Sequence, residues 1–273
     1  MNKCAFVIPL HPKHFYYGYY IINELINTDV DLYFIFTNLQ DKNLFEQKLS
    51  KTTVLNFLLL DTFTNLSIVE QTNSFVSIKK LFALSILYKK YDYISCIDSE
   101  IKFINKNNFY DMMKNIVDNK IICGGKIKEN MLFEKDIIYN SLIKITYVLF
   151  HNKLKNISHD FTRYTWWSNL PVYDCKIAHE FLQWIDFSNT KLERFCWHVF
   201  DDMLYNYFCV LLHNYKLEII PNCNHSLELS STQVIEHVNN NICKLYWVNK
   251  HAYSQNINYY HNNNFNIVFH LDR

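Results

Sequence analysis

The chain has 273 residues, within the range of one large α/β domain, and its 49% hydrophobic content, with 17% aromatic, suits a sizeable core and excludes long disordered stretches. Its 27 basic and 26 acidic residues leave a formal net charge of +1, which gives no reason to expect nucleic acid or an anionic membrane as the main partner. The abundance of Asn, Lys, Ile, Tyr and Phe reads as the coding bias of an AT-rich genome, not as chemistry.

In chain order, Cys4 to Leu10 reads as a buried strand that ends in the loop bracketed by Pro9 and Pro12. Tyr19 to Leu25 reads as a helix, Asp31 to Thr37 as a second strand, Leu44 to Leu49 as another helix, and Val54 to Leu60 as a third strand. Ser77 to Lys90 is the clearest helix: Ile78, Leu81, Phe82 and Ser85 trace a 3.6-residue period, with Lys79 and Lys80 beside that stripe. Tyr91 to Ile97 follows as an apolar strand of the kind buried on both faces of a parallel sheet. Ile121 to Cys123 reads as one more strand, ending at the Gly124-Gly125 pair. Strands alternating with helices at this spacing imply βαβ units and a parallel sheet. The second half is more aromatic and irregular until a strong helix from Asp201 to about His213, and Asn266 to Phe269 reads as a last strand. No linker rich in Pro, Gly or Ser divides the halves, so one domain over 1–273 is expected, with a binding half at 1–125 and a variable half at 126–273.

Gly18, Gly124 and Gly125 are the only glycines, too few to write a phosphate-cradling loop of the Rossmann or P-loop kind. A nucleotide bound here would need another device for its diphosphate, such as a metal and a few cations. The eight cysteines form no CxxC pair and mostly sit in apolar runs, which fits a reducing compartment and a cytoplasmic protein. No secretory pattern opens the chain, and no run approaches the roughly eighteen apolar residues of a membrane span, leaving only peripheral membrane contact open. The sequons at Asn65, Asn156 and Asn224 are then coincidental.

In YDYISCIDSEIKFI, Asp98 and Glu100 stand where an apolar strand runs out. In extended backbone, residues two apart face the same way, so the pair would present both carboxylates on one side of the sheet's C-terminal edge. Carboxylates suit a hard divalent cation, and that edge is where ligands bind open parallel sheets. Mg2+ or Mn2+ there would neutralise a departing nucleoside diphosphate without a glycine loop. A plainer account has both side chains solvated at a turn.

The order of strand, proline loop, lysine-bearing helix, apolar strand and Asp98-Ser99-Glu100 resembles the GT-A glycosyltransferases and their Asp-x-Asp motif, over about residues 3–125 in layout. The glutamate in third position departs from that motif. The resemblance implies a GT-A-like, Rossmann-type α/β fold: a mixed, mainly parallel sheet flanked by helices, with a helical or irregular acceptor lobe. It further implies a nucleotide-sugar donor, and a glycan or lipid-linked acceptor. Pro9, Leu10 and His11 would lie where the nucleotide base docks, and Lys79 and Lys80 where a helix touches the donor phosphates or sugar, with Asp98 and Ser99 also at the donor. His11 and His14 are otherwise plain loop histidines.

Phe200, Met203, Leu204, Tyr207, Phe208 and Leu211 give a packed helix with Asp201 and Asp202 in its first turn. An aspartate there caps free N–H groups and suits the helix dipole. The resemblance adds that inverting GT-A enzymes carry an acidic pair downstream of the metal motif, one member deprotonating the acceptor hydroxyl. It also makes His270 a third metal ligand, late histidines serving so in several such families. FTRYTWWSNLPVYD is the expected acceptor surface, with Arg163, Asn169 and Asp174 for hydroxyls and tryptophans for sugar faces, although tryptophan pairs equally suit a core. The rival functions are a nucleotidylyltransferase, which would show a glycine-rich N-terminal signature, and a non-catalytic carbohydrate-binding protein.

Overall fold

The computed structural model describes residues 3–49, 55–72, 75–103, 106, 108–126, 164–165, 171–195, 201–220 and 268–270. Strands β1 (Cys4–Pro9), β2 (Asp31–Phe36), β3 (Asn56–Leu59), β4 (Tyr93–Cys96) and β8 (Val172–Asp174) form a five-stranded sheet in the order β3-β2-β1-β4-β8. The first four pair in parallel, and β8 adds an antiparallel edge to β4. The fold is thus a mixed, mainly parallel sheet flanked by helices, as the strand and helix alternation implies.

β1 is buried along its whole length, and its residues divide by parity. Cys4, Phe6 and Ile8 join a core with Phe34, Phe36 and the helices α1 (Phe15–Leu25) and α5 (Phe109–Asp118). Ala5 and Val7 join the opposite core, with Tyr33, Ile35 and the helices α4 (Phe75–Leu87), α6 (Cys175–Trp184) and α7 (Asp201–Leu212). Two-sided burial is why these strands read as continuous apolar runs, without alternation. Gly18 lets α1 lie against the end of β1: an added Cβ would meet Leu10 Cδ2 and Phe45 Cε2, each at 2.9 Å.

Helix bounds differ from the periodicity where a cap intervenes. The second helix, α2, runs Leu39–Glu46, starting earlier than its apolar residues suggest because the Asn38 side chain accepts from Asp41 N at 2.9 Å. α3 (Leu66–Thr72) and β5 (Ile101–Phe103) were not legible, and neither was the edge strand β8. Beside the main sheet, β6 (Ile121–Lys126) lies between β7 (Tyr164–Thr165) and β9 (Lys216–Ile220), and β10 (Val268–His270) pairs antiparallel with β5. Among the described residues, no helix is long and apolar enough to cross a membrane.

Candidate functional site

From β1 the chain builds outward to β2 and β3, then returns to lay β4 on β1's other side. Strand order therefore reverses between β1 and β4, and the crevice beyond the C-terminal ends of two such strands is where open α/β sheets take ligands. Pro9, Leu10 and His11 end β1, while Ile97 N still bonds Val7 O (2.9 Å) before Asp98, Ser99 and Glu100 leave β4.

Consecutive lysines of α4 reach both strand ends. Lys79 Nζ donates to the carbonyl of Leu10 at 3.0 Å, and Lys80 Nζ lies 2.9 Å from Asp98 Oδ1. Neither lysine is the solvated side chain that a place beside the apolar stripe suggests, for they are only 3% and 8% exposed. Burial lowers the Lys79 pKa to about 8, Asp41 opposing weakly. Burial works against the charge on Lys80 too, but Asp98 and then Asp201 and Asp202 outweigh it and raise its pKa above the ordinary lysine value. Lys80 is thus the cation at the centre of three carboxylates.

Two of those come from α7. Asp201 is 1% exposed, and the buried Tyr173 hydroxyl donates to its Oδ2 at 2.6 Å. Burial raises the Asp201 pKa, while Lys80 and the Tyr173 hydrogen bond pull it back. Asp202 is half-buried, and its Oδ1 accepts from the N–H of the next residue, Met203, at 2.9 Å. Burial, then the charge of Asp201, push its pKa up to about 7. Sequence reasoning missed Tyr173, which carries no signal until β8 sets it against α7.

Asp98 and Glu100 do not sit in extended backbone, because β4 stops at Cys96 and residues 99 and 100 form a turn. The same-side argument for the pair therefore fails, and the two carboxylates have different partners. Glu100 accepts from the buried Ser99 hydroxyl (Oε2, 2.7 Å) and has His14 Nδ1 at 3.5 Å from Oε1. With the Ser99 hydrogen given to Glu100, its Oγ accepts from His14 Nδ1 at 3.2 Å, so that ring nitrogen carries a proton. His14 thereby bridges the β1 and β4 ends. His11 is exposed, and its Nδ1 accepts from Lys13 N at 3.2 Å.

His270 lies opposite Ile101 in the antiparallel β10–β5 pair, so the backbone of β10 runs beside the residues that directly follow Glu100. Trp166, Trp167, Arg163 and Asn169 lie outside the described residues. Asp174 caps α6, its Oδ1 accepting from Lys176 N at 3.0 Å. For a divalent cation, the oxygen donors of Asp98 and Glu100 have the right chemistry. Among the described residues, however, no three His, Cys, Asp or Glu side chains are gathered as a ligand set.

No protein-family model matches the chain, and no curated protein does. Among solved structures the chain is similar to the mannosyltransferase Ktr4p from S. cerevisiae, at 12% identity and a TM-score of 0.39 over 71% of this chain and 62% of that one. It is also similar to core-mannan synthase A (CmsA/Ktr4) from Aspergillus fumigatus in its Mn/GDP form, at 9% identity and a TM-score of 0.42 over 80% and 73% of the two chains. A structure of Ktr4p in complex with GDP gives 12% identity and a TM-score of 0.38 over 71% and 62%. The chain thus spans less than two thirds of the length of Ktr4p.

Proposed function

We propose that this chain is a GT-A-like glycosyltransferase that moves a sugar from a nucleoside-diphosphate donor to a saccharide or lipid-linked acceptor, with inversion. The observation that carries this reading is the pair of buried lysines at the C-terminal ends of β1 and β4, Lys79 on the Leu10 carbonyl and Lys80 on Asp98, with the charges of Asp201 and Asp202 acting on Lys80. A diphosphate bound without a glycine loop must draw its positive charge from side chains or a metal; the buried Lys79 can supply part of it, whereas Lys80 is already matched by Asp98, Asp201 and Asp202.

In this reading the base of the donor docks over Pro9, Leu10 and His11, and Lys79 and Lys80 face its diphosphate, with Ser99 beside it. Asp98 and Glu100, with His270 from the neighbouring strand, would hold Mn2+ or Mg2+, which supplies Lewis-acid neutralisation of the diphosphate. Asp202 is the general base, because it is half-buried and its pKa of about 7 matches a group that must take a proton near neutrality. The acceptor oxygen attacks the anomeric carbon from the face opposite the diphosphate. The bond to the diphosphate oxygen breaks, the electron pair leaves with the diphosphate, and the hydroxyl proton passes to Asp202. Asp201, held by Tyr173, is the positioning residue that keeps the negative end of the Lys80 cluster in place.

The test is donor turnover. With Mn2+ present, a panel of UDP-, GDP-, CMP- and dTDP-sugars should yield one donor that is slowly hydrolysed and transferred. Binding of nucleoside triphosphate and sugar phosphate with pyrophosphate release would instead identify a nucleotidylyltransferase. Sugar binding without turnover of any donor would identify a carbohydrate-binding protein.

A further inference from the structure

We infer that the cavity running along α7 from Asp202 receives an acetamido group on the acceptor sugar, an inference that rests on the glycosyl-transfer reading above. Asp202, Asn206 and Cys209 share one face of α7, spaced by about one helical turn each. The cavity is also lined by Ile116 and Val117 of α5 and Ile122 of β6. The cavity measures about 30 Å³, room for about two water-sized groups, which is the bulk of an acetyl methyl and carbonyl and too little for a ring.

Its two ends differ in chemistry. At the α7 N-terminal end stand the Asp202 carboxylate and, one turn on, the half-buried Asn206, whose amide makes no hydrogen bond to a described residue. The other end is mostly apolar: Cys209 is fully buried and burial pushes its thiol up to about 12, so it stays neutral, while Tyr205, whose hydroxyl accepts from Asp174 N at 2.8 Å, and Tyr215 complete the lining. A bare hydroxyl would satisfy Asn206 but leave the apolar end to water. An acetamido group satisfies both, its carbonyl accepting from the Asn206 amide and its methyl filling the space beside Cys209, Ile116 and Val117. The sugar hydroxyl next to it then faces Asp202, so the group that fixes the acceptor's register lies one turn from the group that takes its proton.

Saturation-transfer NMR with N-acetylglucosamine and N-acetylgalactosamine against glucose and galactose tests this, in the presence of Mn2+ and the nucleoside diphosphate that binds. The acetyl methyl should take the strongest saturation, and each acetamido sugar should bind roughly tenfold more tightly than its parent. Asn206→Leu and Cys209→Phe act on the two ends separately, and either should remove that preference. If one variant fails to fold, the other carries the test. Equal affinity for acetamido and parent sugars, or a preference that survives both substitutions, overturns the inference, as does no sugar binding by protein that binds a nucleoside diphosphate. Absence of nucleoside-diphosphate binding to the wild-type protein, read by calorimetry, would bring down the transferase reading itself.

Discussion

Lys80 Nζ lies 2.9 Å from Asp98 Oδ1, and that ion pair ties helix α4 to the loop where β4 ends. Lys80 also compensates Asp201 and Asp202, so its removal leaves three carboxylates facing one another. Lys80→Met should therefore cost about 3 kcal/mol or more in urea unfolding, as for one partner of a buried pair. Without Lys80, burial is opposed only by hydrogen bonds such as that from Tyr173, so the Asp201 pKa rises further. A folded pKa above the unfolded one means the native state holds more protons, so stability falls as pH rises through that range. The deficit should be larger at pH 8 than at pH 5. Lys80→Met with Asp201→Asn should recover part of it, and strictly additive costs would show that Lys80 and Asp201 are not coupled.

Asp201 and Asp202 should separate by readout. Asp202→Asn should lower turnover by about 10² to 10⁴ while leaving the melting temperature near wild type. The wild-type kcat/KM should fall as pH drops below about 7, where Asp202 gains its proton, and the variant should lack that acid limb. Tyr173→Phe removes the hydrogen bond to Asp201 instead, and should cost about 1 to 3 kcal/mol of stability with the acid limb retained. An unchanged pH profile in Asp202→Asn would remove Asp202 as the base.

Lys79 should trade stability for binding. Its drop from 10.5 to about 8 corresponds to about 3 kcal/mol spent on burying the charge below pH 8. Here the folded pKa lies below the unfolded one, so the unfolded chain binds more protons between about pH 8 and 10.5, and native stability rises with pH across that window. Lys79→Met should raise the melting temperature at pH 7, gain less at pH 10, and weaken nucleoside-diphosphate binding. A variant that binds the nucleotide as tightly as wild type would make Lys79 only a clasp on the Leu10 carbonyl.

How far the sequence carries these results depends on whether the signal is local. β1, β2 and β4 are apolar runs, and two-sided burial produces such runs directly. The stripe of α5, Phe109, Met112, Met113, Ile116 and Val117, is written at helical spacing, but its start signal is not beside it. Asn108 is left-handed and provides no side-chain cap; Asp29 accepts from Phe109 N and Tyr110 N, at 3.2 and 3.1 Å, from far away in sequence. The candidate site divides in the same way. The places of Lys79 and Lys80 beside a helical stripe and of Asp98 past an apolar strand were legible, but the burial of the two lysines was not, because it depends on where α4 meets the sheet edge. The alternation rule failed at Asp98 and Glu100 because it holds only in extended backbone, and the chain turns there.

A strand of three residues has little stability of its own and persists only through its neighbours, and the neighbour of β10 is β5, with Val268 opposite Phe103 and His270 opposite Ile101. β5 directly follows Glu100, so β10 braces the loop that holds Asp98, Ser99 and Glu100 without belonging to the main sheet. Deleting 265–273 should therefore weaken Mn2+-dependent nucleoside-diphosphate binding well before it lowers the melting temperature. His270→Ala separates the two roles of this strand, since it keeps the backbone pairing and removes only the imidazole. A loss in His270→Ala equal to that of the deletion would assign the effect to the side chain as a metal ligand. A loss confined to the deletion would assign it to the bracing of the loop, and unchanged binding in a stable deletion variant would take β10 out of the site altogether.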